Sequence, residues 1–517
     1  MNLTQPIWRN CNLHPEREAL VVEGRSVSYG RMMVLVKRVQ YHFHSAGVQR
    51  GDVVALSIND PLRIVVAILA LARMGAVIAP YSRTWREELA KLLMERHQAR
   101  FLVHSPRDSV TPALFSDVSP ISVDALFATP ANSVADDVTA MADMNYDDPW
   151  IIVMTSGTTS GPKSIKKKHG TQILASTLTR NQTTDSVPRV MPWLTNLLFL
   201  ITAEPILWAL TEGGAVILNK TFNPDQFYEA AEKHAPTLVV TSPGLASGVA
   251  EYGKGTLAGS ARELCKSIEV LQVGGSALSP QMSAAFADNI CPTVHVNYGT
   301  TETGKLARLD LADPNVPHGS GGRLFPWVQA EAVSDEDIVL PAGQIGELRF
   351  KSATISGIDY LGDPVFSAQV FRNGWYYPGD MGAVDAAGYI YLRGRKDSLI
   401  NLAGVKVSPE AVEEVLNAAP GVVESAVMSM RSKNALKPVL VAAVHTSSPC
   451  NVEDLRARCE ERLGKLKTPR RFVFVPAIPK NAAGKIQREE IGAVIRAALA
   501  ASRTEAQSSN ADGMGDA

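Results

Sequence analysis

Short β-branched runs that stop at turn residues and alternate with apolar stretches of helical length narrow the possible folds of this chain more than any other feature. Val53-Val54-Ala55-Leu56-Ser57-Ile58 ends at Asn59-Asp60-Pro61, and an apolar stretch from Leu62 to Arg73 follows. Gly75-Ala76-Val77-Ile78-Ala79-Pro80 then opens another strand. Comparable runs stand at Ala215–Leu218, Thr237–Thr241 and Glu269–Val273, each beside Gly or Pro. Strands separated by crossover helices pair in parallel, so the pattern predicts an α/β fold with mostly parallel strands.

From about Asp335 the texture changes to short strands with glycine turns, as in Gly346-Glu347-Leu348-Arg349-Phe350 and Gly388-Tyr389-Ile390-Tyr391-Leu392. These runs predict a small β-rich subdomain. An α+β segment follows Arg395, with a helix near Pro409–Ala419 and strands near Ala426–Met430 and Val439–His445. Residues 104–148, rich in Ser, Pro, Asp and Ala, read as a less regular connection, and no repeat period recurs. The organisation expected is a large N-terminal domain of mixed α/β subdomains over 1–394, a mobile small C-terminal domain over 395–500, and a tail over 501–517. With so little to bury, that tail is expected to be disordered.

Size and charge limit the functional class. At 517 residues the chain has room for several hydrophobic cores. A net charge of −1 gives no electrostatic reason to expect nucleic acid or an anionic membrane as partner. The five cysteines lack CxxC or Cys/His metal spacing, which fits thiols buried in a reduced, cytoplasmic protein. No basic-then-apolar leader stands at Met1–Pro6, and the longest apolar runs, Ile64–Ala72 and Leu197–Leu210, are interrupted by Arg73, Glu204 and Pro205. A membrane span is not expected.

The strongest local signal is the run from Ile151 to Ser164. An apolar strand, Ile151-Ile152-Val153-Met154, passes directly into Thr155-Ser156-Gly157-Thr158-Thr159-Ser160-Gly161-Pro162-Lys163-Ser164. Glycines allow close backbone approach, hydroxyls and N–H groups donate to phosphate oxygens, and the lysine adds charge. The Walker spacing is absent, so the loop is a phosphate cradle of another kind or a flexible turn. The basic run Lys166-Lys167-Lys168-His169 reads as a solvated helix start.

Five more motifs follow in order: Gly274-Gly275-Ser276-Ala277-Leu278, Asn297-Tyr298-Gly299-Thr300-Thr301-Glu302, Trp375-Tyr376-Tyr377-Pro378-Gly379-Asp380, Gly394-Arg395-Lys396-Asp397 and Asn481-Ala482-Ala483-Gly484-Lys485. Together with the phosphate loop they resemble the adenylate-forming superfamily: acyl-CoA synthetases, aryl-acid ligases, peptide-synthetase adenylation domains and luciferases. The resemblance implies ATP and Mg²⁺ as cofactors. Thr155, Ser156, Gly157, Thr158, Thr159 and Lys163 would hold phosphates, and Gly275, Ser276, Asn297, Tyr298, Gly299 and Thr300 the adenine side. Thr301 would touch the α-phosphate, Glu302 would hold Mg²⁺, and Asp380 with Arg395 would bind the ribose. Lys485 would neutralise charge as the carboxylate attacks the α-phosphorus. Ser160, Ser164 and Pro378 depart from the usual residues without removing a catalytic group.

Such enzymes join an acid to AMP and then pass the acyl group to a thiol, rotating the C-terminal domain between the steps. Asp397 matches the pivot, and Gly404, ahead of Val407-Ser408-Pro409-Glu410, would leave room for a pantetheine arm. The texture is closest to acyl- or aryl-CoA ligases, with CoA as co-substrate; a stand-alone enzyme loading a carrier protein is the alternative. A non-catalytic nucleotide binder and an ADP-forming kinase or phosphohydrolase are two further readings. The acid pocket is expected around Thr195, Asn196 and Gly274, with a mostly apolar cavity lined from among Trp193, Leu194, Leu197 and Phe199, some of which must face the core instead. Without an acidic residue between Met191 and Asn196, an ammonium has no partner in the usual place, so an aromatic or short-to-medium acyl acid is expected.

Overall fold

The short β-branched runs become strands, and the longer apolar stretch after Asp60 becomes a helix that crosses between two of them. The computed structural model describes residues 1–82, 85–105, 115–128, 139–155, 163–180, 186–194, 200–257, 259–275, 278–355, 359–402, 405–430, 439–480 and 486–512. Val53–Leu56 is buried at every position and pairs in parallel with Val77–Pro80 on one side and Ala99–His104 on the other. The helix between them, Pro61–Met74, starts where the Asp60 carboxylate accepts from the Arg63 amide at 3.0 Å. It stops at Gly75, whose φ of 75° is a left-handed conformation suited to glycine. Pro149–Thr155 extends this six-stranded sheet, and Lys163–Lys168 closes it in antiparallel register.

A nine-stranded sheet lies beside it. Its interior strands Ala215–Leu218, Arg189–Trp193, Leu238–Thr241, Val270–Gly274 and Val294–Thr300 run parallel, and Gly304–Asp310 turns back antiparallel to the last. Ligands of open parallel sheets gather beyond the carboxyl ends of the strands. Here those ends are Thr155, Gly274 and Thr300. The expected β-rich subdomain is a third, antiparallel sheet built around Gly346–Ser352 and Asp380–Arg395.

Beyond Arg395 come the hairpin Ile400–Leu402 with Val405–Val407 and a three-stranded sheet of Val422–Met430, Val439–Thr446 and Arg471–Phe474. The helix Pro409–Asn417 packs on this sheet through Val412 and Leu416. The last helix, Arg488–Asp512, runs through most of the segment expected to be disordered. Its Ala, Arg, Glu and Gln residues are strong helix formers, so propensity extends the helix where there is little to bury.

One charged contact ties this helix to the helix Pro409–Asn417 and, at the Val427 backbone, to the C-terminal sheet. Arg488 donates to both oxygens of Glu413, Nη1 to Oε1 at 2.8 Å and Nη2 to Oε2 at 3.0 Å, and also to Glu410 at 2.9 Å. Glu413 is 6% exposed and accepts from the Val427 amide at 2.7 Å. Arg488→Met would leave that carboxylate buried without its cation. With the arginine itself one-third exposed, the expected loss is at the low end for such pairs, about 3 kcal/mol. Urea unfolding together with hydrogen exchange at Val422–Met430 measures it, and adding Glu413→Leu is expected to restore much of the loss.

Candidate functional site

The turn that joins Val294–Thr300 to Gly304–Asp310 has room only for glycine at its entrance. A Cβ on Gly299 would lie 2.1 Å from the carbonyl oxygen of Gly304. Across the turn, the amides of Thr300 and Thr303 each donate to the other's hydroxyl at 3.3 Å. Two outside elements then tie it down. Lys167 donates to the carbonyls of Thr301 and Glu302 at 3.1 and 3.2 Å, and the Thr354 hydroxyl donates to the Thr303 carbonyl at 3.0 Å.

The Glu302 carboxylate points inward and is 5% exposed. Tyr360 donates to its Oε1 at 2.5 Å, and the buried Tyr376 hydroxyl lies near Thr300 and Glu302. Burial, reinforced by the charge of Glu302, holds both tyrosine hydroxyls well above their ordinary pKa. The Lys163 ammonium stands in the same corner over the Phe366 ring. Burial lowers its pKa, while Asp363 and Glu302 pull the other way. Among the described residues no group of three or more metal-ligating side chains occurs. A single carboxylate such as Glu302 fits Mg²⁺ brought in on phosphates, because that ion keeps most of its ligands from water and substrate.

A second cluster forms where the β-rich sheet meets the strand ends. Tyr298 donates to Asp380 Oδ2 at 2.5 Å, and Arg395 Nη1 lies 3.6 Å from Asp380 Oδ1. Arg395 is also held by Asp397, Nε to Oδ1 at 2.9 Å. Gly379 supplies the left-handed φ of 79° that sets Asp380 at this corner. Between Tyr298 and the end of the neighbouring strand is Asn297, paired in register with Gly274. Both polar atoms of its side chain are buried without a hydrogen-bond partner. An amide left so costs about 1–3 kcal/mol, and its donor and acceptor match the edge of an adenine ring.

Asn297, Tyr298, Thr300, Thr301, Glu302, Lys163, Asp380 and Arg395 therefore converge on one corner, with Gly274 and Gly275 at its edge. Ser156, Gly157, Thr158, Thr159, Thr195, Asn196, Ser276, Gly404 and Lys485 lie outside the described residues, and Thr155 is described only as the end of its strand. The basic run is not a solvated helix start. It ends the strand Lys163–Lys168, and Lys167 and His169 are buried. Period-two alternation was the available signal, since Ile165 and Lys167 face inward while Lys166 is exposed. Trp193 does not line a pocket. It is fully buried, edge-on to Phe222 and Phe227 at 5.2 and 5.1 Å. The cavity beside the Thr303–Gly304 turn is instead lined by Lys167, Glu204, Lys305 and Arg308, and by Phe325 and Trp327.

The family described as AMP-binding enzyme matches residues 7–357, and the AMP-binding enzyme C-terminal domain matches residues 411–485. A 2-succinylbenzoate–CoA ligase of Bacillus cereus is 27% identical over 94% of this chain and 98% of its own length. The solved O-succinylbenzoate coenzyme A synthetase of Bacillus subtilis in complex with AMP has a TM-score of 0.81 at 23% identity, covering 94% of this chain and 97% of the other. An anthranilate CoA ligase in complex with anthranoyl-AMP has a TM-score of 0.82 at 21% identity, covering 96% and 98%.

The geometry of the turn sets a stability expectation. Gly299→Ala must displace backbone and is expected to lose about 1–3 kcal/mol. Gly248→Ala, in open space within the helix Pro243–Thr256, is expected to be neutral or to gain up to about 1 kcal/mol. Comparing urea midpoints of the two variants checks this, and equal effects would refute the steric reading of Gly299.

Proposed function

This chain belongs to the AMP-binding enzyme family, and from that premise we propose that it is an AMP-forming acid–thiol ligase. It joins a carboxylic acid to AMP with release of pyrophosphate and then passes the acyl group to CoA. The observation that carries the reading is the buried, unpartnered amide of Asn297 beside the turn that bears Glu302. One end of the corner offers an adenine-shaped set of hydrogen-bond groups, and the other offers a carboxylate and an ammonium for phosphates.

In this reading Asn297, with Gly274 and Gly275, meets the adenine edge, and the Tyr298 ring lies against its face. Asp380 and Arg395 receive the ribose hydroxyls. Lys163 and the loop Thr155–Thr159 hold the β- and γ-phosphates, with Thr301 on the α-phosphate. Glu302 would hold Mg²⁺, which supplies charge neutralisation to the leaving pyrophosphate. A carboxylate oxygen of the acid attacks the α-phosphorus, the bond to the bridging oxygen breaks, and pyrophosphate leaves. Lys485 stabilises the charge at that centre. The thiol then attacks the acyl carbon, losing its proton, and AMP departs.

The first step reacts at the α-phosphorus and the second at the acyl carbon, and each needs different groups beside the bound adenylate, so the unit after Arg395 turns between them, about Asp397. CoA is the acceptor favoured over a carrier-protein thiol, because Gly404 and the segment through Glu410 resemble those of acyl-CoA synthetases. An aromatic or compact acid is the substrate class, and the cytoplasm is the setting, consistent with free cysteines.

Acid-dependent pyrophosphate release, with AMP rather than ADP as nucleotide product and thioester only when CoA is added, tests the whole reading. ADP formation would replace it with a kinase or phosphohydrolase. Lys485→Ala is expected to slow adenylate formation on the order of a hundredfold or more, with transfer from pre-made acyl-AMP preserved. Asp397→Pro, which fixes φ at the pivot, is expected to make acyl-AMP yet fail to transfer it. Normal overall turnover by that variant would remove Asp397 as the pivot.

A further inference from the structure

The cavity beside the nucleotide corner is charged rather than apolar, and its lining holds more cations than carboxylates. It lies between the helices His169–Arg180 and Leu200–Thr211 and the strand Gly304–Asp310, with Thr303 and Gly304 in its wall. Three cations line it, Lys167, Lys305 and Arg308, against Glu204 as the one carboxylate among the described lining residues. Lys167 already donates to two carbonyls of the turn, and Asp310 offsets Arg308 in part. The Lys305 ammonium donates to a neutral group, Gln272 Oε1, at 3.2 Å. In the wall of the same cavity is Trp327, whose indole N–H is buried without a hydrogen-bond partner. An ammonium set against a neutral amide and an unpartnered donor both suit an incoming anion.

Strand geometry shows why two cations of one strand share this space. Lys305 and Arg308 are an odd number of residues apart and would face opposite sides of a regular strand. The register with Val294–Thr300 instead passes from Tyr298–Ala307 to Gly299–Lys305, leaving Leu306 as an extra residue. A bulge of this kind re-aims a side chain, and both cations line the cavity.

We propose that the acid this chain activates carries a second, anionic group, a carboxylate, seated against Lys305 and the Trp327 indole. The proposal rests on the ligase reading and sharpens it to acids with two carboxylates, one reacting and one recognised. Burial brings the Lys305 pKa down to about 8, opposed by Glu204 and assisted by Arg308, as expected of a cation awaiting its partner. A substrate ammonium would add another cation beside Lys167 and Lys305, so Glu204 does not make this a site for amino acids.

The test uses the full chain and benzoates that bear a second carboxylate ortho, meta or para, directly or through a two-carbon chain. Each is paired with the matching carboxamide, and binding is measured by calorimetry alongside pyrophosphate release. The best carboxylate is expected to bind at least about tenfold more tightly than its carboxamide, the effect of one charge-assisted hydrogen bond. Lys305→Met is expected to erase that preference while leaving carboxamide binding unchanged, and Lys305→Arg to retain it. Melting curves of both variants verify that they are folded. No carboxylate preference in any pair, or a preference that survives Lys305→Met, would overturn the proposal. Carboxylate-selective binding without pyrophosphate release for any acid would leave the anion subsite standing and remove the ligase reading.

Discussion

The hold of Lys167 on the carbonyls of Thr301 and Glu302 is the interaction on which the rest of the corner depends. It joins the last strand of the six-stranded sheet to the turn at the end of the nine-stranded one. The β-rich unit reaches the same turn through Thr354, Tyr360 and Tyr376. Three sheets thus share a single loop of backbone. Hydrogen bonds from a charged donor contribute about 1.5–3 kcal/mol each, while burying an isolated ammonium costs several kcal/mol. The balance is met because Glu204 and Glu302 both lie close enough to favour the charged form, although burial draws the lysine's pKa downward.

That arrangement explains how the Glu302 carboxylate stays buried. Glu302 repels phosphate by itself, yet it is flanked by two tyrosine hydroxyls and by the ammonium groups of Lys163 and Lys167. A divalent cation would invert the sign of the contact, so a metal–phosphate pair would suit these groups better than phosphate alone. The Asp380–Tyr298–Arg395 cluster works differently. Its acceptor is already engaged by a phenol and a guanidinium, and sugar hydroxyls would compete with contacts that also lock the orientation of the Tyr298 ring.

Local features of this architecture were legible in the sequence, and long-range ones were not. The strands announced themselves through β-branched runs ending at Pro, Gly or Asp, and the motifs from Asn297 to Glu302 and Trp375 to Asp380 do meet at one place. Lys167 was misread because a run of four basic residues suggests solvent, whereas alternation on a strand puts every second one inside. Glu204 registered only as an interruption of an apolar run. Its partners stand on the strands Lys163–Lys168 and Gly304–Asp310, which only the tertiary fold brings near. Sequence alone left open which of the apolar residues near Asn196 face the core, and the rings of Phe222 and Phe227 place Trp193 there.

The bulge at Leu306 sits between the charged cavity and the turn that carries Thr301 and Glu302. The strand Gly304–Asp310 carries Lys305 and Arg308 and continues directly from the turn that presents Thr301 and Glu302. With Gly299 closed against the Gly304 carbonyl, the turn has no slack to absorb a shift on either side. A group that pulled on Lys305 would therefore be felt through a few residues of taut backbone at Thr301 and Glu302. Because a small misplacement at a reacting centre is expensive in rate, an acid seated in the charged cavity would have to leave Thr301 and Glu302 in register. On the proposed subsite, recognition at Lys305 and reaction beside Thr301 and Glu302 would be coupled by the covalent continuity of this strand and turn.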